Sequence, residues 1–285
     1  MTETPHAPPV RRASVSYGTA ALRVFDLALG EMLWSRRSVF LAFVVGGPIV
    51  VALVLRVVEM LGLPALRVNG VQVGGQIVFG AVVWFLYLRF IVPILGVFYG
   101  TALIADEVDD RTITYLFVRP IPRGAVLLGK FLAYLAVTVL IVLPSVMIVF
   151  FLVAPMGTGS IAAGFPDLLK DLVLLALGLS AYGAVFAFVG ARFRKPLIIG
   201  LVFAFGWELV VLSVPGYLKK LTVAYYLQAL VPHTMPQDGA AALLQSIFRD
   251  QPAAWLSIAA LLAISAGFLY AGMRTVERRE YVLDQ

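Results

Sequence analysis

The sequence predicts an all-α integral membrane protein, on three observations: a heavily apolar composition, six apolar runs long enough to cross a bilayer, and basic residues gathered on alternate connections. Of the 285 residues, 61% are hydrophobic and only 13% charged, and mean hydropathy is +0.95. Soluble domains average about 45–50% apolar and about 25% charged residues. A spanning helix needs roughly 20 mostly apolar residues, because the hydrocarbon core is about 30 Å thick and a helix rises about 1.5 Å per residue. The runs fall at about 39–61, 77–104, 125–153, 172–191, 196–215 and 252–273. They far exceed the roughly 9 to 11 alternating residues of a barrel strand, and backbone groups left unpaired in lipid are costly, so helices are expected.

Residues 1–16 are expected to form a disordered cytoplasmic tail. They are followed by a stretch, 17–38, in which Leu22, Phe25, Leu29, Met32 and Leu33 recur at helical spacing among Arg23, Asp26, Glu31, Arg36 and Arg37. Such a segment suits an amphipathic helix lying in the membrane interface. The first 38 residues hold five arginines and no short apolar region with a small-residue cleavage site, so the first span itself is expected to direct insertion. The six-span domain occupies 39–273, and 274–285 is a cytoplasmic tail. Between spans, 154–167 reads as a loop, with Pro155, Gly157, Gly159, Gly164 and Pro166. In 216–251, apolar runs such as Val223 to Val231 are too short to span and are broken by Pro232 and Pro236, which suggests short helices dipping into the outer leaflet.

Orientation follows from Lys and Arg, which cytoplasmic loops retain. The segments 1–38, 105–125, 192–195 and the tail from 274 together hold fourteen, whereas the opposite side holds five: Arg67, Lys170, Lys219, Lys220 and Arg249. Both termini are therefore expected in the cytoplasm. This bias accounts for the net charge of +6, so no nucleic-acid partner is needed. The absence of cysteine excludes disulfides, thiolate metal sites and cysteine nucleophiles. The two histidines, His6 and His233, are too far apart to form a motif. Gly124, Gly129 and Lys130 match G-x-x-x-x-G-K, but Phe131 stands where a nucleotide site needs Ser or Thr for Mg²⁺, and the motif runs into a span rather than following a strand. Lys130 is expected to snorkel to the inner interface.

The most informative stretch is 105–130. Asp106, Glu107, Asp109 and Asp110 precede a short apolar group at Ile113, Leu116 and Phe117, and Arg119, Pro120 and Pro122 end it. Acids in the first turn and a base in the last complement the helix dipole, and prolines stop the run, so a short amphipathic cytoplasmic helix is expected. An ordinary charged loop is the alternative. Glu107, Asp110 to Thr112, Leu116, Arg119, Pro120, Arg123, Leu128, Gly129 and Lys130 form a pattern that resembles ABC-2-type permeases, the membrane subunits of ABC transporters. Members often carry glycine where Asp110 or Arg111 stands here. The resemblance also covers the interfacial helix, the six spans and the long outer connection before the sixth.

That resemblance implies a division of labour. A separate ATPase, carrying ATP and Mg²⁺, pushes on the short coupling helix between spans two and three, while two permease copies in the inner or cytoplasmic membrane form the path, mostly for export. The chain itself would then bind no cofactor or metal and have no catalytic residue. Asp106, Glu107, Asp109, Asp110, Arg111, Thr112, Arg119 and Pro120 are the expected docking and coupling residues.

Within the spans, Arg89 and Glu208 stand out. An intramembrane charge is expensive and usually faces a bundle interior or a wet cavity. Counted at about 1.5 Å per residue, Arg89 lies roughly 22 Å and Glu208 roughly 18 Å from the inner side. An ion pair fixing helix packing and a place on the substrate path both remain open. Arg56 has Glu59 a turn away near an outer end. Gly96 and Gly100 form a GxxxG pair that permits close backbone approach, and Pro93 and Pro144 are candidate kinks. An intramembrane enzyme needs convergent His, Asp, Glu or Ser groups, which are scarce here. A channel or ion-coupled carrier differs from the permease only by the 106–130 segment.

Overall fold

The computed structural model describes residues 16–34, 36–62, 67–68, 71–72, 74–109, 122–157, 159–213, 217–233 and 252–278. These are overwhelmingly helical, apart from a two-residue antiparallel pairing of β1 (Arg67–Val68) with β2 (Val71–Gln72). Five helices are long and apolar enough to cross a membrane: Val39–Met60, Gly75–Val108, Arg123–Val153, Ile161–Arg192 and Ala254–Arg278. The expected fifth span is present as a shorter apolar helix, Pro196–Trp207, which continues helically to Ser213.

The first helix, α1 (Tyr17–Leu33), starts at Ser16, whose hydroxyl accepts from the Thr19 amide at 3.4 Å. Capping of this kind satisfies one of the amides that a helix start leaves unpaired. It buries Ala20, Ala21, Val24 and Ala28, a stripe of small residues at helical spacing, and leaves Leu22 and Leu27 exposed. The expected 17–38 segment is thus broken at Trp34, and α2 (Arg36–Met60) follows.

The second long helix runs from 75 to 109 as α3 (Gly75–Val82), a wide-turn stretch Val83–Ile91, α4 (Val92–Leu95), a second wide-turn stretch Gly96–Gly100, and α5 (Ala102–Asp109). In the wide turns the bonds reach one residue further than in an α-helix, as where the Val92 amide meets the Tyr87 carbonyl. Pro93, which has no N–H to continue the α ladder, lies between the two stretches. Pro144 sits inside the unbroken helix α6 (Arg123–Val153).

The next helix, α7 (Ile161–Arg192), is the hub, with buried residues along its whole length. It begins eleven residues before the expected span start at 172, so the expected 154–167 loop is shorter than its glycines and prolines suggest. The loop's start is pinned by Glu59, which accepts from the Gly157 amide at 2.6 Å and is itself paired with Arg56 at 2.6 Å. Gly157 has φ 62°, a conformation that favours glycine.

The GxxxG pair packs on α7. A Cβ at Gly96 would lie 2.8 Å from the Cβ of Tyr182, and one at Gly100 would lie 3.0 Å from the Gly183 carbonyl oxygen. Most polar groups described in this core find partners, an arrangement that burial away from water favours. The Tyr134 hydroxyl donates to the Leu179 carbonyl at 3.0 Å, and the hydroxyls of Tyr87 and Ser145 bond to each other. The remaining elements are α8 (Pro196–Val202), a wide turn Phe203–Trp207, α9 (Glu208–Ser213), a 3₁₀ turn Tyr217–Leu221, α10 (Val223–Leu230) and α11 (Ala254–Arg278). Short helices do occupy the described part of the 216–251 connection.

The glycines of the P-loop-like motif have a packing role. A Cβ at Gly129 would lie 2.5 Å from the Ala21 carbonyl oxygen, and one at Gly124 would lie 2.6 Å from the Tyr17 hydroxyl and 2.7 Å from a Glu277 carboxylate oxygen. They let α1 and the end of α11 lie directly on α6.

Candidate functional site

The second long helix, α7, the 196–213 helix and α10 enclose a cavity of about 310 Å³. Its walls are mostly aromatic and aliphatic, with Trp84, Phe85, Phe90 and Phe205 among them, and it contains both Arg89 and Glu208. Residues from the first wide-turn stretch and from its counterpart at 203–207 face each other across it. Wide turns of this type are frequent at functional sites, because they re-aim side chains that a regular helix would point elsewhere.

Glu208 is almost completely buried, at 3% exposure. Its Oε2 accepts from the Tyr182 hydroxyl, and its Oε1 accepts from the Val223 amide at 3.2 Å, with the Ala224 amide also contributing. Those amides open α10, so the carboxylate sits at a helix N-terminus, where unpaired N–H groups and the helix dipole favour negative charge. Thr222 caps the same turn, its hydroxyl accepting from the Tyr225 amide at 3.3 Å.

Arg89 is held differently. It is exposed, and no ion pair within 4.0 Å joins it to a carboxylate among the described residues, Glu208 included. The two charges share a cavity, and Glu208 is satisfied by Tyr182 and the start of α10 instead. Tyr182 gives no sequence signal of this role, because an aromatic residue in an apolar run reads as core.

A second buried polar centre joins Asp171 of α7 to His233, beyond α10. Asp171 is 0% exposed, and its Oδ2 lies 2.7 Å from Nε2 of His233. Its Oδ1 has no hydrogen-bond partner among the described residues. The imidazole stands edge-on to Phe79, ring centroids 5.6 Å apart, over Gly80, where a Cβ would come within 2.7 Å of the ring. The pairing spans 62 residues of sequence, which is why neither residue stands out before the fold is known.

Of the expected docking residues, Asp106 and Glu107 lie on α5, and Asp109 ends it. Asp110, Arg111, Thr112, Arg119 and Pro120 lie outside the described residues, as does the expected coupling helix. Glu107 forms an ion pair with Lys130 of α6, both side chains mostly buried. Lys130 thus ties the end of the second long helix to the start of α6, where the sequence suggests only a snorkelling role. Among the described residues, no group of three or more His, Cys, Asp or Glu side chains could hold a metal ion.

Five helices long and apolar enough to cross a bilayer define a multi-pass helical membrane protein. The chain belongs to the ABC-2 family transporter proteins, whose family model matches residues 13–281. It is therefore a membrane permease component of an ABC transporter, a transporter part rather than an enzyme in its own right. No curated protein matches the chain.

Proposed function

We propose that the chain is the permease subunit of an ATP-driven exporter in the cell membrane, with six spans, both termini cytoplasmic and α1 lying at the inner interface. It works as a pair of copies driven by a separate ATPase that binds ATP and Mg²⁺. The observation that carries the reading is Arg89. An exposed guanidinium on a membrane-crossing helix is not stable against lipid and requires water or protein beside it. A second copy facing this helix supplies the missing wall and makes the cavity part of a path between the two. The 196–213 helix is short, but Glu208 is shielded by Tyr182 and α10, so the segment can still cross with its charge hidden. Support for an ATPase partner comes from the family and from the acidic 106–110 cluster at the inner end of the second long helix.

The test is to replace Asp109 and Asp110 with lysine and measure ATPase retention on membranes containing the permease. We expect retention and ATP-dependent transport to fall together. Unchanged retention and transport would remove the docking role, and transport without any ATPase would overturn the permease reading in favour of an autonomous carrier.

A further inference from the structure

The cavity carries an inference about cargo that rests on the permease reading. Among its described lining residues, Arg89 supplies the positive charge and Glu208 the negative one. They are not equivalent toward a ligand. The carboxylate is engaged on both oxygens, by the Tyr182 hydroxyl and the Val223 amide, and is 3% exposed. The guanidinium is exposed and has no carboxylate within 4.0 Å among the described residues. The charge presented to a ligand is therefore positive.

The walls supply the other half of the chemistry. Trp84, Phe205 and Leu227 offer apolar surface, and Phe85 and Phe90 at the rim are 59% and 52% exposed. Their exposed rings extend the apolar wall of the cavity onto the surface of the second long helix, the face that the proposed second copy meets. At about 310 Å³, the space is at the small end of the roughly 300–1,000 Å³ typical of ligand pockets. It suits one acyl chain or small aromatic body rather than a two-chain phospholipid.

We propose that this cavity binds a single-chain amphiphile with an anionic head, its carboxylate or phosphate paired with Arg89 and its apolar body against Trp84 and Phe205. Guanidinium is suited to this, because it pairs with planar carboxylates and phosphates through two parallel N–H bonds and stacks on aromatic faces.

Trp84 is a built-in reporter. The full-length protein carrying W34F, W207F and W255F retains Trp84 alone and is placed in zwitterionic nanodiscs. Quenching is then titrated with ω-bromododecanoate, ω-bromododecanol and ω-bromododecyltrimethylammonium. A matched protein retaining only Trp255 corrects for differences in membrane partitioning. We expect the carboxylate to half-saturate Trp84 quenching at a concentration about tenfold below the alcohol, with the cation weakest, as for one ion pair worth about 1.4 kcal/mol. R89Q should abolish the difference between acid and alcohol, and R89K should retain most of it, which separates loss of charge from loss of fold.

Equal quenching by acid and alcohol, or selectivity unchanged in R89Q, would overturn the proposal. Displacement of the bromo-acid by phosphatidylglycerol as effectively as by dodecanoate would overturn the single-chain assignment. Failure here leaves ATPase dependence standing, whereas transport without an ATPase would remove the permease reading and leave the binding result intact.

Discussion

The bond between Tyr182 and Glu208 can be isolated by a double-mutant cycle of Tyr182→Phe, Glu208→Gln and the two combined. Tyr182 and Glu208 are both nearly inaccessible, so water cannot replace the lost partner. Y182F deletes one of the donors to the carboxylate and leaves the Val223 amide in place. Hydrogen bonds to ionised groups contribute about 1.5–3 kcal/mol and neutral ones about 0.5–1.5 kcal/mol, so Y182F should destabilise by about 1.5–3 kcal/mol and E208Q by about 0.5–1.5 kcal/mol. Because the two groups touch, the double variant should cost less than the sum, with a coupling energy of about 1–2 kcal/mol. The assay is equilibrium unfolding of the purified protein in mixed detergent and dodecyl sulfate, followed by helical circular dichroism. Additivity within about 0.3 kcal/mol, the scatter expected of independent sites, would refute the claim that Tyr182 holds the carboxylate. A large loss in E208Q alone, with none in Y182F, would instead assign the stabilisation to the start of α10.

Gly129→Val should unseat α1 from α6, because even a Cβ would lie 2.5 Å from the Ala21 carbonyl oxygen. Overpacking of this kind costs about 1–3 kcal/mol, and faster proteolytic cleavage between α1 and α2 than in the parent protein is the check. Lys130→Ala removes the mostly buried cation of the Glu107 pair, and should cost about 1.5–3 kcal/mol, as for one hydrogen bond to a charged group. The exchanged pair E107K/K130E should recover part of that loss in the same unfolding assay, and no recovery would argue against a direct pair. His233→Ala removes the only hydrogen-bond partner recorded for the Asp171 carboxylate among the described residues, with a cost of about 3–5 kcal/mol expected. Adding Asp171→Leu to H233A should restore stability, because an apolar pair can replace a buried polar one at little net cost.

Much of the fold is legible in the sequence because lipid imposes a simple rule, a long apolar run for each crossing. The helices at 36–60, 75–109, 123–153 and 254–278 lie where the runs place them. The start of α7 does not, since Gly164 and Pro166 read as breakers. In the structure Gly164 instead faces the ring of Phe150, to which a Cβ would approach within 3.1 Å, and Pro166 forfeits one backbone bond near the helix start. The GxxxG pair correctly signals close approach, but only the fold identifies its partner as the Tyr182 to Ala187 turn of α7.

At the candidate site, Arg89 and Glu208 are visible beforehand because charge inside an apolar run is anomalous. What holds Glu208 is not, because the Tyr182 hydroxyl and the α10 amides belong to residue types that carry no warning. The same holds for Asp171 and His233, which are neighbours only because α7 and the segment beyond α10 pack together.

The wide turns at 83–91, 96–100 and 203–207 bear on how this protein can be mapped experimentally. An i-to-i+5 bond inserts surplus chain into a turn, so the angular register of everything beyond it is offset from the 3.6-residue wheel. Spin labels or cross-linkers walked through 83–100 will not follow a single 3.6-residue wheel over the whole stretch. Since the chain has no cysteine, single cysteines can be walked through this region one position at a time. The accessibility pattern should change phase near Pro93, and that shift in phase can be measured without knowing any ligand.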